Sequence, residues 1–450
     1  MAKARSQYVC QQCAARHSKW AGRCDNCGAW NSLVEEAATH EKKAVVDRSA
    51  GRVLSPQPIG DISLEGSGKR LTTGFAQLDD VLGGGLMPGG VALLAGQPGI
   101  GKSTLLLQLV LSVGAREPVL YISGEESAGQ IRLRAERLSS NLPTDVSMIA
   151  TTSADDIAAT IAAGAYRLVI VDSMQTIAMA EVASAPGTVS QITNSANIII
   201  RAAKANGTSV VLVGHVTKEG SIAGPKVLEH LVDVVLSFEG DRYGGFKMLR
   251  AAKNRYGSTS EVAILEMAGE GLKEVDNASA SLLSERGNSD GSVVLATLEG
   301  NRPLLCEIQA LVNPTHFGYP KRTSSGFDLN RLTLLIAVLE KRTRLDLSDK
   351  DVFINVVGGL RLNDPAADLA VCMAIASASA ERRLAQDMVV FGEVGLGGEI
   401  RRVRSIASRI AEAKKLGFHT ALAPSSSESD PFITPIADLR DGLNTYLTKK

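Results

Sequence analysis

The sequence predicts an α/β protein with a mostly parallel central sheet, a small metal-binding module before it and a smaller α/β domain after it. Three features predict this architecture. Apolar strand-like runs alternate with longer helical patterns through the middle of the chain, a phosphate-binding loop follows one of these runs, and four cysteines stand in two close pairs near the N-terminus. The 48 lysines and arginines equal the 48 aspartates and glutamates, so net charge neither favours nor excludes nucleic acid as a partner.

The chain of 450 residues divides into four predicted segments. They are a cysteine module over residues 1–34, a polar linker over 35–68, the large α/β domain over 69–285 and the smaller one over 292–450. Strands are predicted at 91–95, 119–122, 168–172, 209–213 and 233–238, and helices of the smaller domain near 330–342, 366–380 and 404–416. The alternation in the large domain implies helices on both faces of its sheet.

The sequence predicts no membrane segment. The N-terminal residues lack the apolar core of a signal peptide, and no apolar run is long enough to span a bilayer. We therefore expect a soluble cytoplasmic protein with no membrane partner. Six cysteines in a chain of this length do not indicate a disulfide scaffold, and Cys306 and Cys372, each isolated in apolar sequence, are predicted to be buried thiols.

A complete P-loop is the most constraining motif of the chain. Its glycines leave the backbone N–H groups free to wrap a polyphosphate, and it lies between an apolar strand-like run and an apolar helical run. The phosphates of a nucleoside triphosphate would therefore lie at a helix N-terminus, where the dipole favours anions. Lys102 is predicted to reach the β- and γ-phosphates, and the Ser103 hydroxyl to hold Mg²⁺. The predicted nucleotide-binding residues are Gly96, Gln97, Pro98, Gly99, Ile100, Gly101, Lys102, Ser103 and Thr104.

Acidic residues follow two other predicted strands, at the same carboxyl edge of the sheet. Asp172 ends one apolar run and is predicted to hold the Mg²⁺ shell beside Ser103. Of the adjacent Glu125 and Glu126, we expect Glu125 to orient and deprotonate the attacking water, whereas Glu126 fits a helix-capping acid. His215, after a further strand, has two open interpretations, a γ-phosphate sensor or a structural histidine.

The four N-terminal cysteines have the spacing of a metal site. Two CxxC pairs, Cys10 with Cys13 and Cys24 with Cys27, offer four thiolates to one tetrahedral ion, for which zinc fits best. The alternatives are a redox CxxC pair, which lacks its surrounding βαβ pattern, and an iron–sulfur cluster, which usually has less symmetric spacing. A module this small would take much of its folding energy from the ion.

Basic and aromatic residues are interspersed among these cysteines. One interpretation is a surface for single-stranded nucleic acid or for a protein partner. The other is that the aromatic rings pack beside the zinc and the charges are solvated; the sequence leaves both open. The basic residues are Lys3, Arg5, Arg16, Lys19 and Arg23, against the single Asp25, and the aromatic residues are Tyr8, Trp20 and Trp30.

Further motifs carry a resemblance to a known family. The runs before the P-loop are Leu71-Thr72-Thr73-Gly74-Phe75, then Leu78-Asp79, then Gly83-Gly84-Gly85-Leu86. With them the chain resembles the RecA/KaiC-like ATPases. With Lys253-Asn254-Arg255-Tyr256-Gly257 and the zinc module it resembles, over essentially its whole length, the bacterial RadA (Sms) family of DNA repair proteins. The family's KNRFG signature stands here with Tyr256 for phenylalanine.

The resemblance implies a RecA-like, ring-forming, ATP-driven DNA motor, a hexamer in the family. Such a motor would have helicase activity and would promote branch migration of recombination intermediates alongside the RecA recombinase, on single-stranded and branched DNA. Lys253 and Arg255 would reach the γ-phosphate of a neighbouring subunit, as arginine fingers do. DNA-facing loops are expected near 177–190 and 216–226, the second with Lys218 and Lys226 as DNA contacts.

The last segment resembles the Lon protease domain, which uses a Ser–Lys dyad. The position of the serine is Ala366 here, and the position of the lysine, aligned without a gap from Gly392, is Ala407. Because a methyl group can do neither task, we predict no peptidase activity and a role in oligomerisation or DNA contact. A basic stripe is predicted in this domain, although a solvated helix face explains it equally well; it comprises Arg401, Arg402, Arg404 and Arg409.

Three alternative functions remain after these observations. A KaiC-type switch ATPase would hydrolyse ATP without motor activity. An ATP-dependent Lon-like protease is disfavoured by Ala366 and Ala407. A zinc-based transcriptional regulator would need sequence-specific duplex binding, and no recognition helix is evident in the sequence.

Overall fold

The computed structural model describes residues 6–10, 12–13, 15–30, 32–37, 58–61, 69–216, 222–223, 227–240, 245–316, 318–424 and 430–447. These residues form two compact units: those up to Phe238 with Ala251–Ser258, and Glu239–Arg250 with those from Thr259 onward. These units are defined by contacts within the folded chain. The domain boundaries predicted from the sequence stay predictions. Within the described part of the chain, every helix is too short or too polar to cross a membrane.

The N-terminal module is a three-stranded antiparallel sheet. Its strands are β1 (Ser6–Cys10), β2 (Arg16–His17) and β3 (Leu33–Ala37), in the order β2-β1-β3. Cys10, Cys24 and Leu33 are buried at its centre. So small an apolar core leaves the module dependent on a further stabilising element, as the sequence predicts.

The first unit otherwise alternates strands and helices. Its elements are α1 (Ala76–Leu82), β4 (Val91–Gly96), α2 (Lys102–Gly114), β5 (Val119–Ser123), α3 (Ala128–Leu138), β6 (Val146–Ala150), α4 (Ala154–Ala163), β7 (Leu168–Asp172), α5 (Val189–Asn206), β8 (Ser209–Val216), β9 (Ile222–Ala223), α6 (Val227–Leu231) and β10 (Val234–Gly240). A short 3-10 turn spans Ile59–Asp61. All five strands predicted from apolar runs are present, in β4, β5, β7, β8 and β10.

Six strands, in the order β10-β4-β8-β7-β5-β6, form the parallel part of the ten-stranded central sheet. Every residue of β4 and β5 is buried, because helices cover both faces of a parallel sheet and its strands are apolar on both sides. Consecutive strands are often not neighbours, so the chain crosses over the sheet between them. Since parallel strands all end at one edge, the loops after β4, β5 and β7 meet there.

Local capping places the helices of this unit. α4 begins after Ser153, whose hydroxyl accepts a hydrogen bond from Asp156 N, and α5 begins after Thr188, which accepts one from Gln191 N. α5 ends at Asn206 and is capped by Gly207, which takes a left-handed conformation with φ 66°. These signals explain why the helical pattern of the sequence resolves into separate helices.

The second unit has a seven-stranded mixed sheet, with order β16-β17-β15-β14-β18-β21-β22. Its elements, after β11 (Lys247–Asn254), are β12 (Val262–Ala268), β13 (Gly271–Glu274), α7 (Ala278–Leu283), β14 (Ser292–Glu299), β15 (Arg302–Pro314), β16 (Arg322–Ser325), α8 (Leu329–Val338), β17 (Lys350–Val356), α9 (Ala367–Ala380), β18 (Met388–Val390), β19 (Glu393–Val394), β20 (Ile400–Arg401), α10 (Ile406–Lys415), β21 (Thr420–Ala423), β22 (Ile433–Pro435) and α11 (Leu439–Leu447). The three predicted helices are confirmed in α8, which continues into a π-turn over Leu339–Thr343, and in α9 and α10. β11 pairs antiparallel with β12.

The core of the second unit surrounds α9. This helix is buried from Ala367 to Ser377, which explains its uniformly small and apolar sequence. Cys306 and Cys372 are both fully buried, as predicted, and burial raises the pKa of the Cys306 thiol to about 12. These two thiols are part of the packing.

The predicted basic stripe is wrong at Arg409. Its side chain is 1% exposed, and its guanidinium pairs with Asp364 at 2.6 Å, donates to Ala296 O at 2.6 Å and lies over the ring of Phe391. A buried arginine is tolerated because a carboxylate and backbone carbonyls replace its water. Arg401, Arg402 and Arg404 are exposed but precede α10, so they do not form a helix face with Arg409.

The two positions aligned with the Lon dyad differ in their surroundings. Ala366 is fully buried at the start of α9, where its N–H donates to Asp364 Oδ1 at 3.1 Å. Ala407 lies on the exposed side of α10. The absence of peptidase activity stays a prediction from the chemistry of alanine.

Candidate functional site

The P-loop joins the carboxyl end of β4 to the first residue of α2, Lys102. Gly99 and Gly101 have φ of 78° and 114°, a left-handed region that residues with a side chain rarely adopt. Ile100, 1% exposed, anchors the loop in the core, whereas Gln97, Pro98 and Gly99 are exposed. The loop thus presents its backbone to solvent directly before a helix N-terminus, which is the arrangement that binds phosphate groups.

The Lys102 side chain lies over this loop. It is 4% exposed, and its ammonium donates to Gly96 O at 2.8 Å and to Gln97 O at 3.1 Å. Burial lowers the pKa of Lys102, while the carboxylates of Asp172 and Glu125 act in the opposite direction. The ammonium therefore lies at the centre of a site with two acids, where it can balance the charge of a polyphosphate.

Asp172 is held by a tyrosine that the sequence reasoning missed. Asp172 pairs in register with Ser123, so the ends of β7 and β5 lie side by side. The Tyr121 hydroxyl, from within β5, donates to Asp172 Oδ2 at 2.7 Å, and burial together with Asp172 raises the pKa of Tyr121 well above its usual range. Tyr121 therefore orients the carboxylate while keeping its proton. A hydroxyl-bearing residue within the otherwise apolar run of β5 was the available signal, but its partner is 51 residues away in sequence.

The adjacent acids Glu125 and Glu126 have different partners. Ser173 Oγ donates to Glu125 Oε1 at 2.5 Å, so Glu125 faces the residue that follows Asp172. Glu126 instead forms an ion pair with Arg134 of α3. Because one acid is engaged by a cation and the other lies beside Asp172 and Lys102, the geometry favours Glu125 as the acceptor of a proton from water.

The Lys253–Gly257 motif lies at the amino ends of the parallel strands, away from the P-loop at their carboxyl ends. Lys253 Nζ donates to Glu229 O at 2.8 Å and Val232 O at 2.7 Å, at the end of α6. Arg255 Nη1 lies 3.2 Å from Asp233 Oδ1, and Asp233 Oδ2 accepts from Val91 N at the start of β4. Tyr256, the departure from the family signature, also contacts Asp233, and burial followed by that carboxylate raises the pKa of Tyr256 to about 12.

The predicted DNA contacts are only partly covered by the structure. Lys218 and Lys226 lie outside the described residues, and for His215 the backbone alone is described, in register with Gly96. The loop predicted over 177–190 is described. The buried Gln191 side chain anchors it by donating to Val182 O and Ser184 O at 2.8 Å each and by accepting from Met179 N at 2.9 Å.

The four N-terminal cysteines converge. Their sulfur atoms all lie within 4.8 Å of one another, with Cys10 to Cys27 and Cys13 to Cys24 at 3.6 Å. A tetrahedral zinc site with Zn–S bonds of about 2.3 Å requires S–S separations of about 3.8 Å, so the set fits the ion. Burial raises the pKa of Cys10, but contacts with Ser32 and with Gln12 N outweigh burial and lower it to about 6. His17 Nε2, 3.4 Å from Cys24 Sγ, is a neighbour that the spacing of the cysteines did not reveal.

Replacing Cys24 by serine is expected to abolish stable zinc binding. The reason is that three thiolates lose the closed tetrahedral shell on which a structural site depends. Metal analysis of the purified protein should find one zinc per chain in the wild type and a small fraction of that in C24S. The matched control is Cys306→Ala, a cysteine of the second unit, which should keep its zinc. Iron, or no metal, in the wild type would overturn the assignment.

Three family profiles match the chain. They are described as "AAA domain" over residues 67–221, "Rubredoxin metal binding domain" over 8–35 and "Subunit ChlI of Mg-chelatase" over 333–427. The chain is also 47% identical over 427 residues to the DNA repair protein RadA of Pseudomonas aeruginosa, an alignment that covers 94% of each protein.

The chain belongs to the RadA family of DNA repair proteins. The RadA proteins of Bacillus subtilis and Aquifex aeolicus are each 46% identical to it, over 95% of this chain and 94% and 95% of their own lengths. The family confirms the predicted fold class: a RecA-like P-loop core with a mostly parallel sheet, a zinc ribbon before it and a Lon-like α/β domain after it. The crystal structure of the RadB recombinase aligns with 46% of this chain and all of its own, at 21% identity and a TM-score of 0.38.

Proposed function

We propose that this RadA family member is an ATP-driven DNA motor with helicase activity, which moves the branch points of recombination intermediates and works with the RecA recombinase. It would act as a closed ring, a hexamer, on single-stranded and branched DNA in the cytoplasm. One observation carries the proposal. The P-loop, which would bind the nucleotide, lies at the carboxyl ends of the parallel strands. The cations of the Lys253–Gly257 motif lie at the amino ends of the same strands.

The distance between these ends supports hydrolysis between subunits. Asp233, the partner of Arg255, bonds to Val91 N at the amino end of β4, whereas the P-loop leaves the carboxyl end at Gly96. Five residues of extended strand span about 16 Å. This separation exceeds the reach of an arginine side chain, so Lys253 and Arg255 would meet a nucleotide only in another copy of the chain. A head-to-tail interface that closes on itself would give a ring of such shared sites.

Within each site the residues would have distinct tasks. The P-loop backbone from Gly96 to Thr104 and Lys102 would bind the phosphates of ATP, Ser103 and Asp172 would hold Mg²⁺, and Glu125 would take the proton of the attacking water. Mg²⁺ would supply charge neutralisation at the β- and γ-phosphates when bound. Lys253 or Arg255 of the neighbour would stabilise the charge that develops on the transferred phosphoryl group. Lys218 and Lys226 remain the proposed DNA contacts.

Mixing two inactive variants tests whether the site is shared. Lys102→Ala and Lys253→Ala should each have little ATPase activity alone, because one lacks the P-loop lysine and the other the cation offered to a neighbour. In mixed rings, a Lys253→Ala subunit beside a Lys102→Ala subunit forms one intact site, so turnover should recover to a fraction of the wild-type rate. Mixing each variant with itself is the control.

The shared site would be contradicted if the ATPase rate of the mixture equalled the sum of the rates of the two variants measured alone. Labelled subunits must show that the rings exchange subunits in that experiment. Because the Lys253 ammonium also binds carbonyls at the end of α6, thermal unfolding of Lys253→Ala should be measured beside it. Arg255→Ala, whose side chain is 55% exposed, gives a second variant with less expected effect on stability. ATPase without strand displacement on a labelled fork would favour a KaiC-type switch.

A further inference from the structure

The zinc module exposes both tryptophans of the chain. The sequence contains two, Trp20 and Trp30, and their exposed fractions are 59% and 73%. Tryptophan is highly buried on average, because its large apolar surface favours the interior. Packing beside the cysteines is therefore excluded for the two tryptophans, whereas Tyr8 is partly buried and does pack against Cys10, Cys24 and Leu33.

Trp30 is held in position although it is exposed. The guanidinium carbon of Arg23 lies 5.9 Å from the centroid of its ring, within the range of a cation–π contact. Arg23 is itself fixed, because its Nε donates to Gly28 O at 2.9 Å. A Cβ atom built on Gly22 would lie 3.8 Å from the ring of Trp30, so the indole rests against a position without a side chain. The ring is thus prearranged, and little conformational entropy is lost when a ligand stacks on it.

The surroundings of the two indoles are polar and basic. Arg23 lies over Trp30, Lys19 directly precedes Trp20 in the chain, and the nearby residues Ser18 and Asn26 are also exposed. The acidic Asp25 lies 3.6 Å from His17 Nδ1. Among the described residues of the module, Val34 is the one other large apolar side chain that is exposed. A protein-binding surface has a contiguous apolar core at its centre. Separate indoles flanked by cations suit a chain of bases joined by phosphates better, because every base has a face that stacks on an aromatic ring.

We infer that Trp20, Trp30, Lys19 and Arg23 form a binding face for single-stranded nucleic acid, which we call the tryptophan face. Bases stack on the two indoles, and the phosphates between them pair with Lys19 and Arg23. This face is separate from the loops of the ATPase core that the proposed function assigns to DNA. It would let the zinc module hold a single strand whether or not ATP is being hydrolysed.

Tryptophan fluorescence tests this inference directly, since the whole signal comes from the tryptophan face. The full-length, zinc-loaded protein is titrated with oligo(dT) without nucleotide. We expect saturable quenching. Trp30→Ala should weaken binding of a labelled oligo(dT), followed by anisotropy, roughly five- to a hundredfold, the usual loss when one stacking residue is removed. Trp30→Phe should retain most of the affinity because an aromatic face remains.

Tyr319→Ala is the matched control. Tyr319 is an aromatic residue of the second unit with an exposed fraction of 89%, and its removal should leave oligo(dT) binding unchanged. Zinc content should be measured for each variant, so that loss of the module is distinguished from loss of the ring. Since the titration needs no hydrolysis, it can succeed where the motor assay fails and fail where the motor assay succeeds.

Three results would overturn the inference. In the first, oligo(dT) binds by anisotropy but the tryptophan emission is unchanged. In the second, a duplex of equal phosphate content quenches the emission equally, so that binding would depend on charge and not on stacking. In the third, RecA protein, after its own emission is subtracted, quenches these tryptophans while oligo(dT) does not. That outcome would make the face a protein-docking surface.

Discussion

Lys102→Ala is expected to lower ATP turnover by at least about a hundredfold, because it removes a preorganised cation from the place where charge develops on the phosphates. In the structure the ammonium is 4% exposed and binds Gly96 O and Gln97 O, at the mouth of the P-loop. It lies near Asp172 and Glu125, whose negative charges would otherwise repel a polyphosphate. The loss should therefore affect both nucleotide affinity and turnover, measured by steady-state ATPase assays and by equilibrium binding of a nucleotide analogue.

A matched lysine on the surface gives the control for this variant. Lys415 ends α10 in the second unit and is exposed, so Lys415→Ala should hydrolyse ATP at the wild-type rate. Thermal unfolding should show that Lys102→Ala is folded. If a folded Lys102→Ala protein kept wild-type turnover, the assignment of the P-loop as the hydrolytic site would have to be abandoned.

Glu125→Gln is expected to lower turnover by about a hundred- to ten-thousandfold while nucleotide binding is kept, because glutamine cannot accept the proton of water. The substitution preserves shape, and the amide oxygen can still accept the hydrogen bond from Ser173 Oγ, which is 2.5 Å from Glu125 Oε1. The change should therefore appear in kcat and leave the affinity for ATP nearly unchanged. Single-turnover hydrolysis and nucleotide binding, measured on the same preparation, separate the two quantities.

The neighbouring Glu126 offers an unusually close control. Glu126 forms an ion pair with Arg134, so Glu126→Gln should affect the packing of α3 more than the chemistry and reduce turnover only severalfold. A larger loss in Glu126→Gln than in Glu125→Gln would reverse the assignment of the two acids. Because each variant changes one carboxylate to one amide, differences in charge and size cancel between them.

The elements of the parallel sheet could be predicted because their causes are local in sequence. A strand buried on both faces must be a continuous apolar run, so β4, β5 and β7 were evident. The P-loop and Asp172 followed from the same runs, since functional residues stand where the strands end. The four cysteines were evident because a tetrahedral ion imposes its own spacing.

The contacts that orient the site could not be predicted, because they join residues that are distant in sequence. Tyr121 and Asp172 are 51 residues apart, Ser173 and Glu125 are 48 apart, and Val91 and Asp233 are 142 apart. Arg409 was also mispredicted because of a partner that is distant in sequence. It was predicted to be exposed with its basic neighbours, but its partner Asp364 lies 45 residues earlier and makes its burial possible.

The two tryptophans show what a structure adds to an ambiguous pattern. Rings packed beside the zinc and rings offered to a ligand require the same residue types near the cysteines, so the sequence could not separate them. Exposure separates them, because Trp30 is 73% exposed and still fixed by Arg23. Our inference of nucleic acid as the ligand of these rings rests on the cation that lies over Trp30 and on the lysine that precedes Trp20.

Branch migration of a labelled recombination intermediate tests the central proposal most directly. With ATP, the full-length protein should extend heteroduplex beyond the spontaneous rate, and single-stranded DNA should stimulate its ATPase activity. Both effects should vanish in Lys102→Ala and in Glu125→Gln, and a non-hydrolysable ATP analogue should support DNA binding without movement. Branch migration at the same rate without hydrolysis, or robust ATPase activity that no DNA stimulates and that moves no branch point, would contradict the motor.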